Sequence, residues 1–171
     1  MPVSDGRKVP VATAQHIGSV IASVIGAYHP LVWVVAESAE DGSALLARIA
    51  KQHKTDVVML GRLAENLAPL TAAKRRRAVD GLLEQLAGTG GDVPAFIDHS
   101  EVLFEPSLAI RVGAQMERLS RMCRALVVVW PGKVGGRELL YAAPGHPEHH
   151  AHPIGNARLV RVDAELSILA D

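Results

Sequence analysis

A run of 28 residues without Asp, Glu, Lys or Arg, from Val9 to Ala36, constrains this chain more than any other feature. It follows Arg7-Lys8, and a stretch of that length has two readings: a signal peptide or membrane span, or consecutive buried elements of a folded core. Its interior decides between them. Tyr28-His29-Pro30 interrupts it, and proline both stops a helix and pushes the preceding residue towards extended geometry. Ahead of the break, Ile17, Val20, Ile21, Val24 and Ile25 recur at helical spacing, with Gln15, His16, Ser19 and Ser23 between them. Beyond it, Leu31-Val-Trp-Val-Val35 is a β-branched run suited to a strand buried on both faces. The pattern predicts a helix over 12–27 feeding a central strand, with no membrane involvement.

The remainder alternates strand and helix. Strands are expected at 31–36, 56–60, 93–98 and 125–130, and helices at 41–52, 72–87 and 108–124, each with apolar residues at helical spacing. Gly88-Thr-Gly-Gly91 is expected to end the second of these helices. Such alternation implies a parallel sheet covered on both faces, a three-layer α/β fold. After Gly132 the pattern changes: 138–142 and 159–163 read as short edge strands, forming an antiparallel hairpin across a loop rich in Pro, Gly and His. The 171 residues suffice for one domain over 1–171, with an N-terminal helix at 12–27, a core at 31–131 and a C-terminal part at 132–171. The single thiol, Cys123, excludes an internal disulfide framework and cysteine-rich zinc modules. Eighteen basic against eighteen acidic residues argue against a protein whose main task is coating nucleic acid. These features point to a cytoplasmic globular protein.

In parallel α/β sheets, ligands sit at the carboxyl ends of the strands. The first such position is the turn after Val35, Ala36-Glu37-Ser38-Ala39-Glu40-Asp41-Gly42-Ser43-Ala44, which stands where a phosphate loop G-x-x-x-x-G-K-[ST] would stand. In one register Ala36, Asp41, Gly42 and Ser43 occupy the two glycines, the lysine and the hydroxyl. In the other Glu37, Gly42, Ser43 and Ala44 do. Neither supplies a lysine, and Glu37, Glu40 and Asp41 would repel a triphosphate at close range. On the residues alone the turn is equally an acidic cap of a helix. The second position is Val93-Pro-Ala-Phe-Ile-Asp98, an apolar strand ending in a carboxylate placed as these folds place one beside magnesium. Glu101 is positioned to polarise a water or to lie in solvent, and His99 takes the slot between them.

Together, Tyr28-His-Pro-Leu-Val-Trp-Val-Val35, Leu60-Gly-Arg-Leu-Ala-Glu-Asn-Leu67, Ile97-Asp-His-Ser-Glu-Val-Leu-Phe-Glu-Pro106, Leu119-Ser-Arg-Met-Cys-Arg-Ala-Leu-Val-Val-Val-Trp-Pro-Gly132 and Leu140-Tyr-Ala-Ala-Pro-Gly-His-Pro-Glu148 resemble the small P-loop proteins (the BrxF family) of bacteriophage-exclusion (BREX) defence systems. The resemblance implies a sheet of P-loop NTPase type and a bacterial anti-phage role alongside other BREX-type defence proteins. It also implies ATP and magnesium as cofactors, with residues 36–44 as the phosphate loop and Asp98 and Glu101 as catalytic, magnesium-side residues. Ser43 would join Asp98 on the metal. The family's loop keeps glycines and a lysine that this turn lacks, so the resemblance implies an ATPase by fold with weak or absent hydrolysis. A pseudo-ATPase scaffold that oligomerises and binds partner proteins or DNA is the alternative.

Other features divide between function and packing. His146, His149, His150 and His152 fall within seven residues, with Glu148 among them, a composition that binds zinc or nickel and that exposed loops also carry without purpose. Lys74-Arg-Arg-Arg77 suits a nucleic-acid backbone, an acidic partner or a solvated helix face. Arg111, Arg118 and Arg121 recur at helical spacing, as an arginine finger or as surface charge. Cys123 sits in an apolar run and reads as core. No Gly-x-Ser-x-Gly elbow supports a hydrolase.

Overall fold

The computed structural model describes residues 8–88 and 91–170. Helix α1 (Val11–Val24) turns Thr13, Ala14, Ile17, Ile21 and Val24 inwards. It ends before residue 27 because Ile25 is extended and Gly26 adopts φ +87°, a conformation glycine takes at little cost. Strand β1 (Leu31–Ala36) follows, with its first five residues buried. The chain continues through α2 (Ala39–Gln52), β2 (Val57–Met59), the short α3 (Leu63–Leu67), α4 (Ala72–Gly88), β3 (Ala95–Asp98), α5 (Val112–Ser120) and β4 (Leu126–Val129). The last four strands are β5 (Lys133–Gly135), β6 (Glu138–Tyr141), β7 (His150–Pro153) and β8 (Arg158–Val162). Among the described residues no helix is long and apolar enough to cross a membrane.

Five strands form a parallel sheet in the order β2-β3-β4-β1-β8. The side chains of β1 alternate across it, as strand geometry requires. Leu31, Trp33 and Val35 join Val79 and Leu83 of α4 and Val112, Met116 and Leu119 of α5 in one apolar cluster. Val32 and Val34 join Ile17 and Ile21 of α1 and Leu45, Leu46 and Ile49 of α2 in another. Helices therefore cover both faces, and the α/β architecture with a parallel sheet is as the sequence predicts.

The C-terminal part differs from the expectation. Arg158–Val162 does not pair with the segment at 138–142; it runs parallel to β1, from Val32 opposite Arg158 to Ala36 opposite Val162. Burial decides this, because Val160 and Val162 complete the cluster beneath α1. A parallel neighbour needs a long crossover, and residues 130–157 supply it. The antiparallel element is a separate three-stranded sheet, β5-β6-β7. Its third strand is built from the His-rich segment, so His150 to Pro153 is strand rather than loop: His150 and His152 are half-buried while Ala151 and Pro153 are exposed.

Shorter deviations have local causes. The helix expected over 108–124 is split, with a 3₁₀ turn at Pro106–Leu108 and α5 beginning at Val112, because Ala109 adopts φ +49° and Arg111 is extended. The strand expected from 93 starts at Ala95, since Pro94 has no N–H to pair and Ala95 N–H donates to Ala125 O. Of the glycine-rich stop after α4, Thr89 and Gly90 lie outside the described residues.

Cys123 donates to Leu119 O at 3.4 Å and borders an apolar cavity with Leu83, Phe96 and Leu126. Burial pushes its thiol up to about 11. With the unfolded thiol near 8.5–9, the neutral form is favoured in the fold, and the associated stabilisation is present below about pH 8.5 and lost as pH rises through 11. At pH 8 this predicts iodoacetamide alkylation at least roughly 100-fold slower in the native protein than in urea. Equal rates would place the thiol in solvent.

Candidate functional site

The sheet order places the end of β4 between the ends of β1 and β3. From β1 the chain steps outwards to β2, returns through β3 to β4, and then crosses to β8 on the other side of β1. The order therefore reverses at β1, and such a switch point is where parallel sheets hold ligands. A cavity of about 630 Å³ opens there, within the size range of small-molecule sites. Its walls are Ala36, Glu37 and Ser38 after β1, Asp98, His99 and Glu101 after β3, and Trp130 to Lys133 after β4. The small sheet contributes Glu138, Leu140 and Ala151, and the connection between β6 and β7 contributes Ala142 and His149.

The small sheet is fastened over this opening by the end of β4. Trp130 Nε1 donates to Leu140 O at 3.0 Å, and its ring meets Trp33 edge-on at 5.5 Å and Phe104 at 5.3 Å. Tyr141 stacks on the other side of this group, 4.0 Å from Phe104.

The connection between β1 and α2 is shorter than the phosphate loop expected over residues 36–44. Only Glu37 and Ser38 separate strand from helix. Ser38 is the N-cap: its Oγ accepts from Asp41 N–H at 3.1 Å and donates to Asp41 Oδ2 at 2.7 Å. This is a capping arrangement in which the helix satisfies its own first amides. Asp41 is 2% exposed. Gly42 N–H already donates to Ser38 O, and a Cβ on Gly42 would stand 2.8 Å from Val129 Cγ1. That glycine serves the approach of α2 to β4. Ser43 and Ala44 belong to the opening turns of the helix. Of the six residues singled out in 36–44, Ala36 and Glu37 line the cavity, whereas Asp41, Gly42, Ser43 and Ala44 do not.

Asp98 and Glu101 do come together at the cavity, with His99 between them. Asp98 is 3% exposed; its Oδ1 accepts from His99 N–H at 2.7 Å, and its Oδ2 lies 3.8 Å from His99 Nε2. His99 Nδ1 is 2.9 Å from Glu101 Oε1. His99 has φ +54°, an uncommon conformation for a residue with a side chain, and these two carboxylates hold its ring. Just beyond, Ser100 Oγ donates to Val129 O at 3.3 Å, fixing the turn against β4. The group can accept hydrogen bonds from a ligand in the cavity.

It does not fit a magnesium–triphosphate. The two carboxylates are turned to His99, the helix start offers its cap rather than an open cradle, and no lysine follows it. Glu37, Asp98, Glu101 and Glu138 line the cavity against one lysine, Lys133, which comes from the small sheet. Lys133 and Glu138 were not legible as site residues, and His149 was legible only as a member of the His-rich segment; Trp130-Pro-Gly132 and Tyr141–Glu148 stood out in the sequence, but nothing local placed them at the end of β3.

The remaining candidates have partners elsewhere. His146 Nδ1 accepts from Glu148 N–H at 3.1 Å, His149 Nδ1 is 3.1 Å from Ala142 O, His150 Nδ1 is 2.9 Å from Glu148 O, and His152 Nε2 is 3.2 Å from Glu117 Oε1. Among the described residues no three His, Cys, Asp or Glu side chains form a metal-ligand group. Arg75 caps α3 through Leu67 O and Ala68 O, both at 2.9 Å. Arg118 pairs with Glu84 at 3.2 Å, and Arg121 donates to Tyr28 Oη at 3.0 Å.

Comparison with known proteins gives no match to a family model, to a curated protein or to a solved structure.

Proposed function

We propose that this chain is a non-hydrolysing protein of P-loop-like α/β build, serving as a scaffold subunit of a BREX-type anti-phage defence system in the bacterial cytoplasm. The observation that carries the non-hydrolysing part is the two-residue connection after β1, with Ser38 and Asp41 capping α2. A phosphate cradle needs a loop whose amides face outwards and a lysine to neutralise the charge; this connection provides neither. The defence role is supported by the sequence stretches that resemble the BREX proteins, since three of them meet at one place. Asp98 and Glu101, Trp130 to Gly132, and Leu140 with Ala142 to Pro144 all line the cavity. Partner proteins, a second copy of the chain or DNA are the ligands such a scaffold would take.

Calorimetric titration of Mg-ATP into metal-stripped protein tests the reading, with Asp98→Ala as control. The expected result is no saturable heat at millimolar nucleotide for either protein. Saturable binding that disappears in Asp98→Ala would overturn it and restore a working nucleotide site.

A further inference from the structure

The wall of the cavity at the switch point carries an unbalanced charge. Glu37, Asp98, Glu101 and Glu138 line it, and among the described residues none of these carboxylates pairs with a lysine or arginine. Asp98 makes the imbalance costly, because its side chain is 5% exposed and a carboxylate removed from water needs compensating partners. Its Oδ1 has the His99 N–H. Its Oδ2 has only His99 Nε2, at 3.8 Å and beyond hydrogen-bond reach. A buried acceptor atom therefore stands at the cavity wall without a donor. Lys133, the one lysine or arginine among the described lining residues, reduces the excess of negative charge and does not cancel it.

The layout of the wall narrows what could supply that donor. Strands β1 and β3 lie on either side of β4, so Glu37, just past β1, and Asp98, at the end of β3, are rooted at least two strand spacings apart, roughly 10 Å. The wall between them is apolar, with Ala36, Val129 at the end of β4, and Leu140 and Ala151 of the small sheet. The positive end of α2 does not oppose a cation here, since Ser38 caps it and Glu40 and Asp41 occupy its first turn. A divalent metal suits the wall less well. It needs several oxygens converging at about 2.0–2.6 Å, and among the described residues no three His, Cys, Asp or Glu side chains form such a group.

We propose that this cavity binds an aliphatic diamine, a methylene chain with an ammonium group at each end. One ammonium would be held by Asp98 and Glu101 and the other by Glu37, with the methylenes lying across Val129 and Leu140. Each ammonium brings three donors and no acceptor, which answers a wall of unpaired carboxylates. The methylenes withdraw the apolar part of the wall from water. Glu101 is already set beside Asp98, because His99 Nδ1 lies 2.9 Å from its Oε1. Binding of a diamine is independent of a defence role. Failure of Mg-ATP to bind leaves it untouched, and failure of a diamine to bind leaves the non-hydrolysing reading untouched.

The test titrates cadaverine into the full chain by calorimetry at physiological salt. Pentylamine, with the same carbon chain and a single ammonium, and magnesium chloride are titrated in parallel. Saturable binding of cadaverine is expected. It should be about tenfold or more tighter than that of pentylamine, and should weaken by about tenfold or more in Asp98→Asn. That substitution retains an oxygen to accept the His99 N–H. Glu37→Gln, at an exposed position, should weaken binding several-fold and carries the test if a thermal melt shows that Asp98→Asn does not fold. Asp56→Asn should bind as the wild type does, because Asp56 is exposed ahead of β2, at the opposite end of the sheet. No saturation at millimolar cadaverine, equal affinity for cadaverine and pentylamine, or an equal loss in Asp56→Asn overturns the inference. Magnesium binding that is tighter than cadaverine binding and lost in Asp98→Asn overturns it in favour of a metal site.

Discussion

Replacing Gly132 by alanine is expected to destabilise the protein by about 3 kcal/mol, at the upper end of what overpacking costs. A Cβ there would overlap the Leu140 carbonyl oxygen and stand 2.8 Å from Trp130 Nε1, which are the two partners of the hydrogen bond fastening the small sheet to the main one. The obstacle is backbone, so no side-chain rotation relieves it. Leu140 is itself held opposite Lys133 in the β5–β6 pairing. Trp130 cannot retreat either, being 2% exposed and wedged edge-on between Trp33 and Phe104. Urea unfolding measures the effect. Gly81→Ala is the control, because it sits within α4 with nothing within 4 Å of its Cβ position and should stabilise by roughly 0.5–1 kcal/mol. A Gly132→Ala change within about 0.5 kcal/mol of the wild type would mean that this fastening is not made in solution.

The features that were legible in the sequence are those fixed by local patterns. Leu31 to Val35 is apolar on both faces because helices lie on both sides, and that is visible in five consecutive residues. The start of α2 was also written locally: Ser38 followed by Asp41 at the third position is a capping signature, and the reading of the turn as an acidic helix cap is what the geometry displays. Spacing alone suggested a phosphate loop, but the cap sets the helix start at Ala39 and leaves no loop to wrap an anion. The features that were not legible depend on distant partners. Arg158-Leu-Val-Arg-Val162 has the alternation of a half-exposed edge strand, and nothing within it says that its neighbour is β1, 126 positions back at Val32. Ala109 adopts a left-handed conformation that its side chain does not favour, so a helical spacing continued on paper across a break imposed by packing. The four histidines suggested a ligand set by composition. Their alternation in His150-Ala-His152 was the better signal, since it places two imidazoles on one side of a strand, against Phe104 and Trp33.

His152 carries the other fastening of the small sheet, and its removal should rescue a substitution on a different element. Gly113 lies in the first turn of α5, where a Cβ would overlap the His152 ring. The same ring places Nε2 3.2 Å from Glu117 Oε1, one turn further along the helix, and meets Trp33 at 6.1 Å. Helix propensity alone favours Gly113→Ala by about 1 kcal/mol. The overlap should reverse that sign, for a net loss of about 2–3 kcal/mol. His152→Ala, which forfeits packing and one hydrogen bond, should cost about 1–2 kcal/mol. In the double variant the new methyl group occupies space the imidazole has left, so the two losses should not add. A double-mutant cycle from urea unfolding should return a coupling of about 2 kcal/mol. Additivity within about 0.5 kcal/mol would show that β7 does not rest on α5. The outcome bears on the cavity as well as on stability, because Ala151 of β7 and Leu140 of β6 belong to its wall. A strand held to α5 through the His152 imidazole bears on that wall from outside the Asp98 group.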